Sequence, residues 1–313
     1  MAVHPETTPS HPSVSILIPT LARPALLARA LDSALEQELA PLEVIVGDET
    51  GEAQRVVEAR SDPRLVYVCN PTHLGFGANV TALCDRARGD LLLVLNDDDR
   101  LDRRFLTVCV DRFGATPDLG VVFTNHVIEN AHGTRVRKTT LREGRHDEFG
   151  VQVVRHNPVP ISAAVFRAEA WRDARPLPDT GAADFVLWTR IAEAGWGFYF
   201  VDEPLMTYMS HNGALSASPR FTEDTMVALQ SVRFRSPEAE RLRERWLGDA
   251  LLTRASRRIR AGELGAARAD VARAHAVAGR TPRSTLLAAA AARPFLARTA
   301  TAVARRALWR PWR

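Results

Sequence analysis

Leu91-Leu92-Leu93-Val94-Leu95-Asn96-Asp97-Asp98-Asp99-Arg100-Leu101 runs five aliphatic residues straight into three consecutive carboxylates. An apolar run this short, preceded by Gly89-Asp90 and stopped by polar residues, predicts a strand buried on both faces. Three acids at its C-terminal end repel one another, so the run needs a positive partner or full solvation. An acid there can also cap a helix starting near Asp102. One acid suffices for a cap, so three point to a cation or a nucleotide.

The same pattern recurs on either side. Residues 13–19 (SVSILIP) predict a buried strand, and Pro24 opens a helix with Leu26, Leu27, Ala30, Leu31, Ala34 and Leu35 on one face. Residues 42–46 (LEVIV) predict a second strand ending at Gly47-Asp48-Glu49-Thr50, and 65–69 (LVYVC) a third. Helical segments are expected at 51–59 and from Gly75-Phe76-Gly77 through Asn79 and Leu83, then at 102–114. Strands alternating with helices indicate an α/β fold, a mostly parallel sheet with helices on both faces. Downstream, strands are expected at 119–124, 161–166 and 198–201, a hairpin or loop at 127–149, and a helix at 183–194. Beyond residue 222 the pattern is helical, with a hairpin at 251–261 and 263–278 joined by Gly262.

The 313 residues fit one large domain with an appendage. The division expected is a loose polar tail at 1–12, one α/β domain at 13–220, and an Arg-rich helical region at 221–313. Net charge is +4 but unevenly spread: residues 239–313 hold 17 Arg against 5 acids, leaving the rest of the chain about −8. Three separated cysteines, Cys69, Cys84 and Cys109, make no metal or disulfide framework and suit a reducing cytoplasm. With no signal-peptide pattern and no apolar run of spanning length, a cytoplasmic protein is expected. Residues 285–313 mix Ala and Leu with Arg and hold Trp309 and Trp312. They read either as an amphipathic helix on the inner face of an anionic membrane or as a helix covering the catalytic domain. A nucleic-acid partner is not expected, because the acidic front half repels phosphates and the basic end lacks aromatic interleaving.

In open parallel sheets, ligands bind outside the carboxyl ends of the strands. Pro19-Thr20, Asp48 and Asn96-Asp97-Asp98-Asp99 share that edge. Asp48 can accept from a base N–H, one acid of the run from ribose hydroxyls, and another can ligate Mn2+ or Mg2+ bridging a diphosphate.

Four motifs make a resemblance specific: SILIPTLARP, LEVIVGDET, HLGFGANVTALCDRARGDLLLVLNDDDRL, and AADFVLWTRIAEAGWGFYFVDEPLMTYMSHNGALS. Over residues 13–216 the chain resembles family 2 inverting glycosyltransferases of the GT-A (Rossmann-like) fold. The resemblance implies that Pro19, Thr20 and Arg23 line the donor nucleotide pocket with Asn79, that Asp48 meets the base, and that Asp97 and Asp98 serve the ribose or donor sugar. It implies Asp99 as metal ligand, with His211 where some relatives place a further ligand, and Asp184 as general base. Four positions depart from the family pattern: Ala183 replaces the acid that normally precedes Asp184, Asn96 stands where another acid is common, and Gly47 and Glu49 replace the usual acidic pair.

The activity implied moves a sugar from a nucleoside-diphosphate donor, a UDP-sugar above dTDP or GDP, to a hydroxyl of a glycan, lipid-linked or small-molecule acceptor. Asp184 would act against two opposing influences, a helix N-terminus lowering its pKa and burial raising it. The rivals are a catalytically inactive nucleotide-sugar-binding relative and a nucleotidyltransferase.

Overall fold

The computed structural model of the chain describes residues 11–114, 116–130, 133, 135–137, 141–211 and 220–292. In chain order they form β1 (Val14–Thr20), α1 (Pro24–Leu35), β2 (Glu43–Asp48), α2 (Gln54–Glu58), β3 (Leu65–Cys69), α3 (Phe76–Arg86), β4 (Leu91–Val94), β5 (Arg100–Leu101) and α4 (Phe105–Phe113). There follow β6 (Leu119–Asn130), β7 (Arg135–Arg137), β8 (Gly144–His146), α5 (Phe149–His156), a 3-10 turn (Ile161–Ala163), β9 (Ala164–Arg167), α6 (Ala168–Ala174), α7 (Ala183–Glu193) and β10 (Gly197–Ser210). The remaining helices are α8 (Phe221–Gln230), α9 (Pro237–Arg260), α10 (Leu264–Ala278) and α11 (Pro282–Ala292).

Two compact units result: the first comprises Met1–Phe149, Pro158–Asp179 and Arg190–Asn212, the second Gly150–Asn157, Thr180–Thr189 and Gly213–Arg313. The first unit is built on one sheet in the order β3-β2-β1-β4-β9-β6-β10-β5, with β7 on β6 and β8 on β10. The expected parallel arrangement holds across β3, β2, β1 and β4, and again between β6 and β10. Between these blocks β9 pairs antiparallel with both β4 and β6, making the sheet mixed. The cause is local. The 3-10 turn lies at the carboxyl end of β4, where the Asn96 N–H donates to the Ser162 hydroxyl at 3.0 Å, so the chain enters β9 from the strand ends and runs back down.

Strands β1, β2 and β4 are buried along their whole length, which is why they read as unbroken apolar runs rather than alternating ones. Leu27, Ala30, Leu31 and Ala34 of α1 cover one side together with Phe105, Leu106, Cys109, Val110 and Phe113 of α4. Elsewhere Phe149 stacks on Phe198 at 4.4 Å and Phe123 meets Phe200 at 5.1 Å.

Several boundaries differ from the sequence reading. Strand β6 runs to Asn130, taking in the start of the segment expected as a loop, and β10 joins two pieces expected to be separate. The latter crosses Pro204 by shifts of register against β6, the device that lets a proline sit inside a ladder. Helix α5 begins where the expected loop ends, and neither it nor α6 was anticipated.

In the second unit, α9 begins at Pro237 behind Ser236, whose hydroxyl accepts from the Ala239 N–H, and α10 follows after Gly262. The expected hairpin is present, with α9 longer than anticipated. Asp270 of α10 is buried and receives Arg254 at 2.7 Å and Arg258 at 2.8 Å from α9, so three charges lock one helix pair. Among the described residues no helix is long and apolar enough to cross a membrane. Residues 1–10, 212–219 and 293–313, and so most of the stretch expected to be amphipathic and the loose tail, lie outside the described residues.

One contact fixes the carboxyl end of β2. The Asn79 amide of α3 donates to the Gly47 carbonyl at 3.0 Å, and a Cβ at Gly47 would lie 2.5 Å from Asn79 Oδ1. Glycine at 47, where the family pattern has an acid, is thus the room that Asn79 occupies. Gly47→Ala is expected to lower stability by about 1–3 kcal/mol through overpacking against Asn79 and Leu83, measured by urea unfolding; an unchanged midpoint would contradict it.

Candidate active site

The three aspartates divide by burial. Asp97 is fully buried and Asp99 is 1% exposed, while the side chain of Asp98 between them keeps 11% of its surface. The question of what balances the run has a definite answer at Asp97 and Asp98: the Arg23 guanidinium. Its NH2 lies 2.5 Å from Asp97 Oδ1 and its Nε donates to Asp97 Oδ2 at 3.2 Å, while NH1 reaches Asp98 Oδ2 at 2.8 Å. Thr20 at the end of β1 donates its hydroxyl to Asp97 Oδ2 at 2.7 Å. Burial pushes the Asp97 carboxyl up to about 6, against the pull of Arg23 and Thr20 in the other direction. Pro19, just before, is buried in β1 opposite Gly47 and packs within the sheet.

Among the described residues no cation lies beside Asp99. Its Oδ2 accepts from the Ser162 hydroxyl at 2.7 Å and the Asn96 amide at 3.3 Å, and its Oδ1 from the Met209 N–H at 3.1 Å. Burial, then the charge of Asp98, pushes its pKa up. Asp99 is therefore a brace tying β10 and the 3-10 turn to the end of β4. Both oxygens of Asp99, the residue expected to ligate a metal, face donors inside the protein. Asp98 fits better, because its Oδ2 lies 3.0 Å from His211 Nε2 at the end of β10, and both side chains are partly exposed. A hard divalent ion with phosphate oxygens needs only one or two protein ligands. Among the described residues no group of three or more His, Cys, Asp or Glu is arranged to hold a metal by itself. An ion here would depend on a diphosphate for the rest of its shell.

At the end of β2, Asp48 is fully buried, and all of its acceptor capacity is spent nearby. Oδ1 takes the Thr50 N–H (2.9 Å) and hydroxyl (3.1 Å); Oδ2 takes the Ala53 N–H (2.8 Å) and the Tyr67 hydroxyl (2.9 Å). Burial raises its pKa, and these donors outweigh burial to leave it lowered. The carboxylate expected to meet a base N–H is held here by its own turn and by Tyr67 of β3. Glu49 beside it accepts from Asn70 at 2.8 Å, from the N–H groups of Leu74 (2.7 Å) and Gly75 (3.1 Å), and pairs with His73 at 2.6 Å. It orders the 70–75 loop that leads to α3. Asn79, expected at the donor, instead clamps Gly47 as described above.

Asp184 lies in the first turn of α7, in the second unit. Its Oδ1 accepts the Phe185 N–H at 2.7 Å and its Oδ2 the Asn157 amide at 3.0 Å. Of the two opposing influences, burial prevails and pushes Asp184 up to about 6. Such a carboxylate is ionised at neutral pH yet a stronger proton acceptor than an exposed one. Asn157 holds a positive φ of 39°, a conformation Asn tolerates better than most residues, and its Oδ1 is buried without a partner.

Sequence reasoning missed Ser162, Tyr67, the Met209 N–H and Asn157. The first three are polar groups brought in from remote chain positions and carry no local signal. Asn157 does carry one, since Asn followed by Pro158, then Pro160, marks a constrained turn.

A mixed sheet with an acidic cluster at its strand ends is the arrangement of the GT-A fold of nucleotide-sugar transferases. Residues 15–169 match the model of the family described as glycosyl transferase family 2, and through this domain the chain belongs to that family. A Campylobacter jejuni protein named GalNAc(5)-diNAcBac-PP-undecaprenol beta-1,3-glucosyltransferase is 31% identical over 123 residues, 38% of this chain and 39% of that protein. A putative colanic acid biosynthesis glycosyl transferase of Escherichia coli, WcaA, is 31% identical over 103 residues, 32% of this chain and 37% of its own length. The chain thus spans less than two-fifths of these relatives. In fold it is similar to S. aureus TarS solved with UDP-GlcNAc (TM-score 0.64, 16% identity, 96% of this chain and 93% of that one). It is also similar to the Pyrobaculum calidifontis mannosyltransferase PcManGT solved with GDP-Man and Mn2+ (TM-score 0.56, 20% identity, 95% and 85%).

The Asp184 surroundings predict a pH-dependent stability. Folded Asp184 keeps its proton to about 6, whereas an unperturbed aspartate loses it near 3.8, so the folded state binds more protons between those values. This contribution is complete below the lower value and is lost as pH rises through the upper one. Asp184→Asn, which Asn157 accommodates by turning its amide, is expected to be more stable than the parent by up to about 2–3 kcal/mol at pH 8, and by much less at pH 4. Thermal melts at both pH values check this; an equal difference at both would show that the Asp184 proton is not linked to folding.

Proposed function

We propose that this chain transfers a sugar from a nucleoside-diphosphate donor, a UDP-sugar first, to an acceptor hydroxyl with inversion at the anomeric carbon. The acceptor class is a glycan or a lipid-linked saccharide, the class named for the C. jejuni relative. The observation that carries this reading is Asp98, partly exposed beside His211 and Arg23; Asp184, itself only partly buried, adds a carboxylate with a raised pKa.

Asp98 and His211 would hold Mn2+ or Mg2+ with the donor diphosphate. When bound, the ion supplies positive charge against the charge growing on the departing diphosphate. The brace through Asp99 keeps Met209, and with it the strand leading to His211, anchored to β4. Asp97 holds Arg23 and Thr20 at the end of β1, and Asp48 and Glu49 shape the loops that follow β2 and β3. In this reading Asp48 acts by fixing its turn and not by touching the base.

Asp184 takes the proton of the acceptor hydroxyl as its oxygen forms the new bond to the anomeric carbon, while the bond from that carbon to the diphosphate oxygen breaks. The Asn157 amide steadies the carboxylate, and Ala183 leaves it without the acidic neighbour usual in the family. One carboxylate is enough for a single proton transfer, so the departure does not argue against catalysis.

Two variants separate the roles. Asp184→Asn should bind UDP with Mn2+ as the parent does, by calorimetry, and lose at least about a hundredfold in transfer. Asp98→Asn should lose metal-dependent nucleotide binding. If Asp184→Asn weakened nucleotide binding as much as transfer, Asp184 would be structural. Donor turnover, with water or a saccharide as acceptor, should fall as pH drops through about 6 as Asp184 takes up its proton. A flat profile across that range would remove Asp184 as the base.

A further inference from the structure

Arg23 is shared unequally. Two of its nitrogens face Asp97, which is fully buried, and one faces Asp98, which is not. Breaking an ion pair in the interior leaves an uncompensated charge and is costly, whereas a pair in contact with water gives way easily. The guanidinium thus has a fixed half and a releasable half. The releasable half sits on Asp98 Oδ2, the same oxygen that lies 3.0 Å from His211 Nε2. A divalent ion and a guanidinium on one oxygen repel each other, so the two compete for it.

The backbone beneath Arg23 supports such a release. Ala22 holds a φ of 52°, the left-handed region that side chains with a Cβ avoid, and Leu21 before it is 45% exposed. A strained, exposed loop immediately before Arg23 is a place where the chain can relax once the contact to Asp98 ends. An arginine also matches phosphate oxygens as well as it matches carboxylates.

Resting on the reading that Asp98 and His211 take the divalent ion, we propose that Arg23 is a built-in counter-cation of the ligand-free site. Pivoting on Asp97, it passes from Asp98 to a diphosphate oxygen when donor and ion arrive together. Ion alone then binds poorly because it must displace Arg23 with nowhere for the guanidinium to go. Ion and nucleotide bind as a coupled pair, each improving the affinity of the other by the same factor.

The test is a Mn2+ titration of the full chain, followed by the paramagnetic resonance of free Mn2+, with and without UDP. Arg23→Gln is expected to bind Mn2+ alone about tenfold more tightly than the parent, and to lose most of the tightening that UDP gives. Arg23→Lys, which keeps the charge but not the fork, should fall between them and serves if the glutamine variant does not fold. Asp98→Asn identifies the site. If Asp98→Asn abolishes Mn2+ binding while Arg23→Gln leaves it unchanged or weaker, the ion site stands and the role of Arg23 is overturned. If neither parent nor Arg23 variants bind Mn2+, with or without UDP, the ion site and the inference fall together.

Discussion

A carboxylate can be buried only if something answers its charge, and the carboxyl edge of this sheet is organised by how each acid is answered. Asp97 is the central case. Fully enclosed, it draws the Arg23 guanidinium and the Thr20 hydroxyl toward it, and so joins the end of β4 to the end of β1 and the start of α1. Removing one member of a buried pair costs about 3–5 kcal/mol, and the partial exposure of Arg23 places this pair toward the lower end. The geometry of the strand ends therefore depends on an electrostatic contact as much as on the apolar strands behind it.

The same logic separates scaffold from chemistry. Asp48, Glu49 and Asp99 are each met by several donors from their own or neighbouring loops, and each holds a turn in shape. Asp98 alone of its run keeps some solvent contact: Asp97 and Asp98 lie in a turn closed by the Asp99 N–H on the Asn96 carbonyl at 3.1 Å, and both neighbours of Asp98 are turned inward. A site that must bind and release a charged ligand needs a rigid frame and one acid not already satisfied. The consecutive aspartates provide both.

Much of this was legible from the residues. Three buried strands with polar residues at their carboxyl ends placed Thr20, Asp48 and the aspartate run on one edge, because apolar runs and intervening helical faces are local signals. The antiparallel insertion of β9 was not legible, since nothing in ISAAVF gives the direction of a short strand. Nor were the roles within the aspartate run. Which acid is free depends on Ser162 and Met209, 63 and 110 residues away. Arg23 was expected among the nucleotide-binding residues, yet nothing local signals its grip on two aspartates 74 and 75 residues away. At Asp184 the two opposing effects were visible in advance, and only the degree of burial could rank them.

The clamp between Asn79 and Gly47 bears on how such a sequence can vary. The asparagine fills the space that any side chain at 47 would need, so the two positions are not independent loci. A side chain at 47 would require the Asn79 amide and the Leu83 methyls to move from where they now lie. Anyone grafting strand ends between relatives would have to move residues 47 and 79 together.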